Sequence, residues 1–189
     1  MVLKPQDVLV ALRAALLEPG VRFAFGDAAK ALALSRSEVH AAVGRCIHAK
    51  LMTRPAERAD SAPTTNRTNL LEFLLHGAKY AFPPTLGGIT RGTPTGYAAP
   101  VLSGYFAAAA TLPPVWPDPL GRVRGRAFEP LYPSVPKAAS HDPRLYAALA
   151  LVDAVRGGGA RDREMAQKLL TEMLTESRAH ADERQPRHA

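Results

Sequence analysis

Cysteine is all but missing from this chain: Cys46 is the only one in 189 residues. An internal disulfide framework is thereby excluded, and the composition fits a reducing compartment. Long apolar runs are missing too. The most apolar later stretch, "APVLSGYFAAAATLPPVW" (99–116), is too short, too weakly hydrophobic and too proline-bounded to span a bilayer. The start, "MVLKPQDVLVALRAALL", lacks the basic region, clean apolar core and small-residue cleavage site of a secretory signal, and Asp7, Arg13 and Glu18 punctuate it at amphipathic spacing. No internal repeat is visible. These absences lead us to expect a cytoplasmic protein that is not held in a membrane.

What is present is an apolar fraction of 47% with 22% charged residues, which places the chain in the globular class. Net charge is +7. A basic balance fits nucleic acid or another polyanion, and equally fits ordinary solubility charge unless the cations cluster. Three segments are distinguishable. Residues 1–82 read as compact and helical. Residues 83–143 hold 12 of the 17 prolines and read as an irregular segment packing on or linking its neighbours. Residues 144–181 read as a helical hairpin, and 182–189 as a frayed tail.

In the first segment, Pro5 suits a first helical turn, and Val8, Leu9, Leu12, Leu16 and Leu17 keep helical spacing up to Pro19-Gly20. "VRFAF" (21–25) reads as a short extended piece and "DAAKALAL" (27–34) as a short helix. Ser35 and Glu38 then form a capping box, fixing a new helix start at Arg36 about two residues later, so the two helices cross at a large angle. On a wheel of about 100° per residue, Val39, Ala42, Val43, Cys46 and Ala49 share one side. Ser37, His40, Ala41, Gly44 and His48 share the other, flanked by Arg36 and Arg45. A mid-helix glycine costs about 1 kcal/mol against alanine. Gly44 therefore either lets the helix sit close to a surface or is simply tolerated.

Residues 25–45 resemble a helix-turn-helix, with Ala29 inside the first helix, Ser35 opening the second, and Val39 and Ala42–Val43 as its apolar positions. With a leading helix (5–18) and a hairpin candidate (51–67), the first 80 or so residues are similar to the winged helix-turn-helix of MarR-type transcriptional regulators. Ala33 stands where that family's turn commonly carries glycine. The resemblance implies that 36–50 is a recognition helix whose Ser37, His40, Gly44 and Arg45 face base edges or phosphates, with His48 on the same arc. Arginine reads guanine through paired donors, and Arg36 at the helix N-terminus is placed for a phosphate. Arg54, Arg58 and Arg67 of the wing would reach phosphates or the adjacent minor groove. The implied partner is double-stranded DNA, bound by a homodimer.

After the wing, "TNLLEFLLHGAKYAF" (68–82) reads as a helix ended by Pro83-Pro84. "PPTLGGITRGTPTGYAAP" (83–100) lacks the lysine pattern of a phosphate loop. Arg122, Arg124 and Arg126 fall at period two, so on a strand they point one way. That stripe reads either as a second phosphate contact or acidic-effector site, or, the reading the pattern favours, as charges guarding an exposed strand edge. Trp116, Tyr132 and Tyr105 read as anchors. In "HDPRLYAALALVDAVRGGG" (141–159), Asp142 caps and Leu145, Ala148, Leu149, Val152 and Val155 form one apolar stripe. In 162–179, Met165, Leu169, Leu170, Met173 and Leu174 point inward. Asp153 and Glu164 read as surface residues.

No titratable set converges on chemistry. His40, Cys46 and His48 scatter around the helix, and no metal, cofactor or catalytic set is identified. The expected fold is mainly α: an N-terminal winged helix-turn-helix, a proline-rich irregular segment and a C-terminal helical hairpin. The expected function is a sequence-specific DNA-binding transcriptional regulator, not an enzyme. The alternatives are an interaction module, antitoxin-like or scaffold, gripping a partner protein through residues 83–180, and a small enzyme with its pocket in 83–136.

Overall fold

A computed structural model describes residues 2–54, 62–105 and 112–182, with the side chains of the last helix followed to residue 175. The architecture is mainly helical, with one two-stranded hairpin and one small mixed sheet.

Helix α1 (Pro5–Ala15) opens on a proline, and the Asp7 carboxylate accepts the Lys4 backbone N–H at 2.8 Å. It buries Val8 to Leu12 without interruption. Residues 21–24 pair with no strand, though Ala24 is extended (φ -116°, ψ 127°), and Phe25 opens α2 (Phe25–Leu32). Helix α2 ends at Ala33, whose φ of 50° and ψ of 45° are left-handed, and the Leu34 N–H closes the end on the Ala29 carbonyl at 3.0 Å. Ala33 thus keeps the conformation that glycine adopts at least cost.

Helix α3 (Arg36–His48) starts as the capping box requires. Ser35 Oγ accepts the Glu38 N–H at 3.1 Å, and Glu38 Oε2 accepts the Ser35 N–H at 3.1 Å. It closes at Lys50 (φ 59°), with the Leu51 N–H on the Cys46 carbonyl at 2.8 Å. Strands β1 (Met52–Thr53) and β2 (Thr64–Thr65) follow as an antiparallel pair, Met52 opposite Thr65 and Thr53 opposite Thr64. The Thr65 hydroxyl donates to the Ala11 carbonyl at 3.0 Å and ties the hairpin to α1. Helix α4 (Arg67–Glu72) is capped by Asn66, widens into a π turn over Phe73–Gly77, and continues as α5 (Ala78–Ala81).

The middle segment is not irregular. Strands β3 (Leu86–Pro94), β4 (Pro114–Pro117) and β5 (Val123–Phe128) close on one another, each paired with the other two, and only β4–β5 is parallel. Pro94, Pro114 and Pro117 stand at strand ends, where a missing N–H costs the ladder least. Glycines permit the tight closure: a Cβ on Gly92 would strike the Trp116 carbonyl, and one on Gly125 the Pro113 carbonyl. Strand β5 pairs with β3 from Val123 to Phe128 but with β4 only at Arg126 and Ala127, so the expected strand edge is covered at that end and open over Val123–Gly125. A short helix α6 (Pro100–Ser103) precedes β4, and α7 (Val135–Ala139) follows β5. Trp116 and Tyr132 anchor the segment, whereas Tyr105 is 50% exposed.

Helix α8 (Pro143–Gly157) is the axis of the molecule. Asp142 caps it, its Oδ1 accepting the N–H groups of Arg144 and Leu145. Every residue from Ala148 to Arg156 is buried, so the expected single stripe is a helix enclosed on all sides over that stretch, and Asp153 is a core residue, not a surface one. Asp153 accepts from the Thr95 hydroxyl (2.9 Å), the Trp116 indole and Arg156 (2.6 Å), while Arg156 also donates to the Phe82 carbonyl at 2.7 Å. Burial pushes the Asp153 carboxyl up from its ordinary range, and Arg156 and the two neutral donors pull it back. Helix α9 (Ala160–Asp182) packs back on α8 through Ala166, Leu170 and Leu174, with Met165, Leu169 and Met173 half-buried. One apolar cluster runs from Val8 to Leu174 through all three segments.

Candidate nucleic-acid interface

Helix α3 is held by its inner side. Val39, Ala42, Val43 and Cys46 are buried. The Cys46 thiol donates to the Asp7 carbonyl at 3.3 Å, and burial followed by the field of Asp7 pushes its pKa up to about 12. The outer side is open: Arg36, Ser37, His40, Ala41, Gly44 and His48 are all exposed along it. This is the arc the wheel isolates.

The open residues differ in how firmly they are placed. The His40 ring stacks on Phe25 with centroids 3.8 Å apart and planes 2° from parallel, so α2 orients it. Ser37 Oγ lies 3.0 Å from Ser35 Oγ. A Cβ on Gly44 would meet nothing within 4 Å, so the fold makes no demand for glycine there. Arg36 stands on the first turn, where free N–H groups and the helix dipole also favour an anion. The single acid of α3, Glu38, is engaged three ways: its Oε2 accepts the backbone N–H and hydroxyl of Ser35, and its Oε1 accepts the Tyr132 hydroxyl at 3.2 Å. The backbone and hydroxyl bonds from Ser35 hold the Glu38 carboxyl below its ordinary value of 4.5.

Two expected contact residues are turned inward, and the expectation is corrected for both. Arg45 forks onto Asp7, Nε to Oδ2 at 2.8 Å and a terminal nitrogen to Oδ1 at 2.7 Å, with the carboxylate wholly buried. That bidentate bond holds the guanidinium above its ordinary value. Arg67 donates to the Ala15 carbonyl at 2.8 Å, and burial lowers its pKa. Arg45 therefore clamps α3 to α1, and Arg67 clamps the hairpin exit to the end of α1. Of the remaining wing cations, Arg54 is exposed at the end of β1, and Arg58 lies outside the described residues.

The inward partners were hidden in the sequence. Asp7 reads there as punctuation of an amphipathic helix, and nothing local reveals that its partner is 38 residues away. Tyr132 gives no signal of reaching Glu38. The Asp153–Arg156 pair did leave one: an acid and an arginine three apart in an otherwise apolar helix.

An open cleft of about 480 Å³ between α2 and α7 is lined by Asp27, Lys30, Ala31, Lys137 and His141, a mixed-charge set. Among the described residues, no group of three His, Cys, Asp or Glu is placed to share a metal ion, and no helix is long and apolar enough to cross a membrane. Comparison with known protein families, curated proteins and solved structures finds no match.

Proposed function

We propose that the chain is a sequence-specific DNA-binding transcriptional regulator, with residues 1–82 acting as a winged helix-turn-helix. The observation that carries this reading is the open side of α3: six exposed residues, three of them small, two histidines and one arginine, on a helix whose one acid is held by Ser35 and Tyr132. The left-handed turn at Ala33, the capping box at Ser35 and the hairpin after α3 support the same reading.

In this mechanism α3 enters the major groove, with Gly44 and Ala41 allowing close approach. Ser37, His40 and His48 face base edges, and Arg36 holds a phosphate at the helix N-terminus. Arg54 and Arg58 of the wing meet the flanking backbone. Arg45 and Arg67 act through the clamps that aim these elements. The protein works as a cytoplasmic homodimer on two-fold sites, without cofactor or catalysis.

Selection of bound fragments from random DNA by the purified protein, followed by gel shift across a salt series, tests the reading. One sequence class is expected to be enriched, with affinity falling steeply as salt rises. Arg36→Ala is expected to weaken the selected complex without lowering the melting temperature. No duplex binding at low salt sinks the proposal and leaves the partner-protein alternative.

A further inference from the structure

The arginines Arg122, Arg124 and Arg126 are all exposed, and the sheet adds a fourth that the spacing of that motif does not include. Register places Arg91 of β3 directly opposite Arg124, and Ile89 opposite Arg126. Side chains alternate across a sheet, so Ile89, Arg91, Arg124 and Arg126 share one side. Gly125, between Arg124 and Arg126, and Gly92, next to Arg91, are buried against Val115 and the backbone of Pro113 and Trp116. Among the described residues, none of the four arginines has an ion-pair partner. Asp118 accepts the Thr93 hydroxyl and the Leu120 N–H, Glu129 follows β5 directly, and neither forms an ion pair with the four.

Edge guarding accounts for only part of this cluster: β4 covers β5 at Arg126 and Ala127, while Val123–Gly125 pairs with β3 alone. Like charges directly across a ladder oppose pairing. All four are arginines, whose planar fork matches phosphate. Residues two apart on a strand stand about 6.7 Å apart, so Arg124 and Arg126 are spaced to meet separate phosphate groups. We infer that this side of the β3–β5 ladder is a second phosphate-binding surface, which grips the backbone of duplex DNA without reading its sequence. The inference rests on the duplex-binding reading above. Leu86 and Ile89, 53% and 55% exposed beside the arginines, make an anionic membrane the competing outcome.

The test uses the full chain, a labelled random-sequence duplex and a salt series read by fluorescence anisotropy. Arg91→Gln, Arg124→Gln and Arg126→Gln together are expected to lower affinity at least about tenfold and to flatten the slope of log affinity on log salt by about 0.9 per lost contact. The melting temperature is expected to hold or rise as the like charges are relieved. Arg124→Lys, which keeps the charge and loses the fork, is expected to fall between. His40→Ala with His48→Ala on α3, which removes side chains assigned to base edges, is expected instead to erase the preference for selected fragments over random duplex. Unchanged affinity and slope in the triple variant, with the wild type binding, overturn the inference and leave the α3 reading standing. Loss in the triple variant alone, with both Arg36→Ala and the His40/His48 variant silent, supports the sheet surface and overturns the role of α3. A wild type that binds no duplex at low salt overturns both. Wild-type binding to phosphatidylserine vesicles that the triple variant loses, with duplex affinity intact, also overturns the inference.

Discussion

At the scale of single residues, Arg45 and Gly44 sit side by side on α3 and answer to opposite demands. Arg45 neutralises a buried carboxylate, Asp7. Removing one partner of such a pair strands the other charge, so Arg45→Ala is expected to cost about 3 kcal/mol. Chemical denaturation reads this as a lowered midpoint, and an unchanged midpoint would show that the clamp does not hold α3. Gly44 touches nothing. Gly44→Ala is expected to add up to about 1 kcal/mol of stability through helix propensity alone. If α3 lies against a groove floor, the same methyl weakens the selected duplex complex. A more stable variant with unaltered affinity assigns Gly44 to simple tolerance. The exposure of Gly44 is legible from the wheel because it depends only on helical period. The burial of Arg45 is not, because it depends on a partner from another helix, and a guanidinium at the margin of an arc looks the same whether it faces water or an acid.

At the scale of elements, the start of α3 carries a pH signature. Glu38 is held below its ordinary 4.5 by the bonds from Ser35. A carboxyl with a depressed folded pKa contributes stability in full above its unfolded value and loses it as the pH falls through the folded one. The melting-temperature advantage of the wild type over Glu38→Gln is thus expected to be constant near neutrality and to shrink below pH 4.5. An advantage independent of pH would assign the cap to the hydroxyl of Ser35 alone. This element is legible because every part of it lies within four residues. The small sheet is the counter-example. The period-two arginines allowed a strand without requiring one, only Arg124 and Arg126 of the three fall in β5, and proline density masked its partners. Pro94, Pro114 and Pro117 stand only at strand ends, and Gly92 and Gly125 buy the close approach of three strands. Composition averages over such positions, whereas a ladder depends on each one.

At the scale of the whole molecule, the three segments told apart by composition share one core. Composition marks where proline begins and ends, but not which apolar faces meet. Helix α8 is enclosed along most of its length, and Asp153 joins it to Thr95 and Trp116 of the middle segment while Arg156 reaches Phe82 at the end of α5. A segment leaving this arrangement would expose a buried face of α8 and strand a buried charge, so the segments are expected to unfold together. The chain supplies one reporter in each of two segments: its single tryptophan, Trp116, in the middle and its single cysteine, Cys46, in the first. Both are fully buried, and the folded thiol, with a pKa pushed up to about 12, is inert to alkylation at neutral pH. In a urea titration, Trp116 fluorescence and Cys46 labelling are expected to change at one midpoint with one slope, as a cooperative unit requires. Cys46 labelling at lower urea than the Trp116 transition would make residues 1–82 a separately melting unit, and the buried ties across α8 would then be too weak to couple it to the rest.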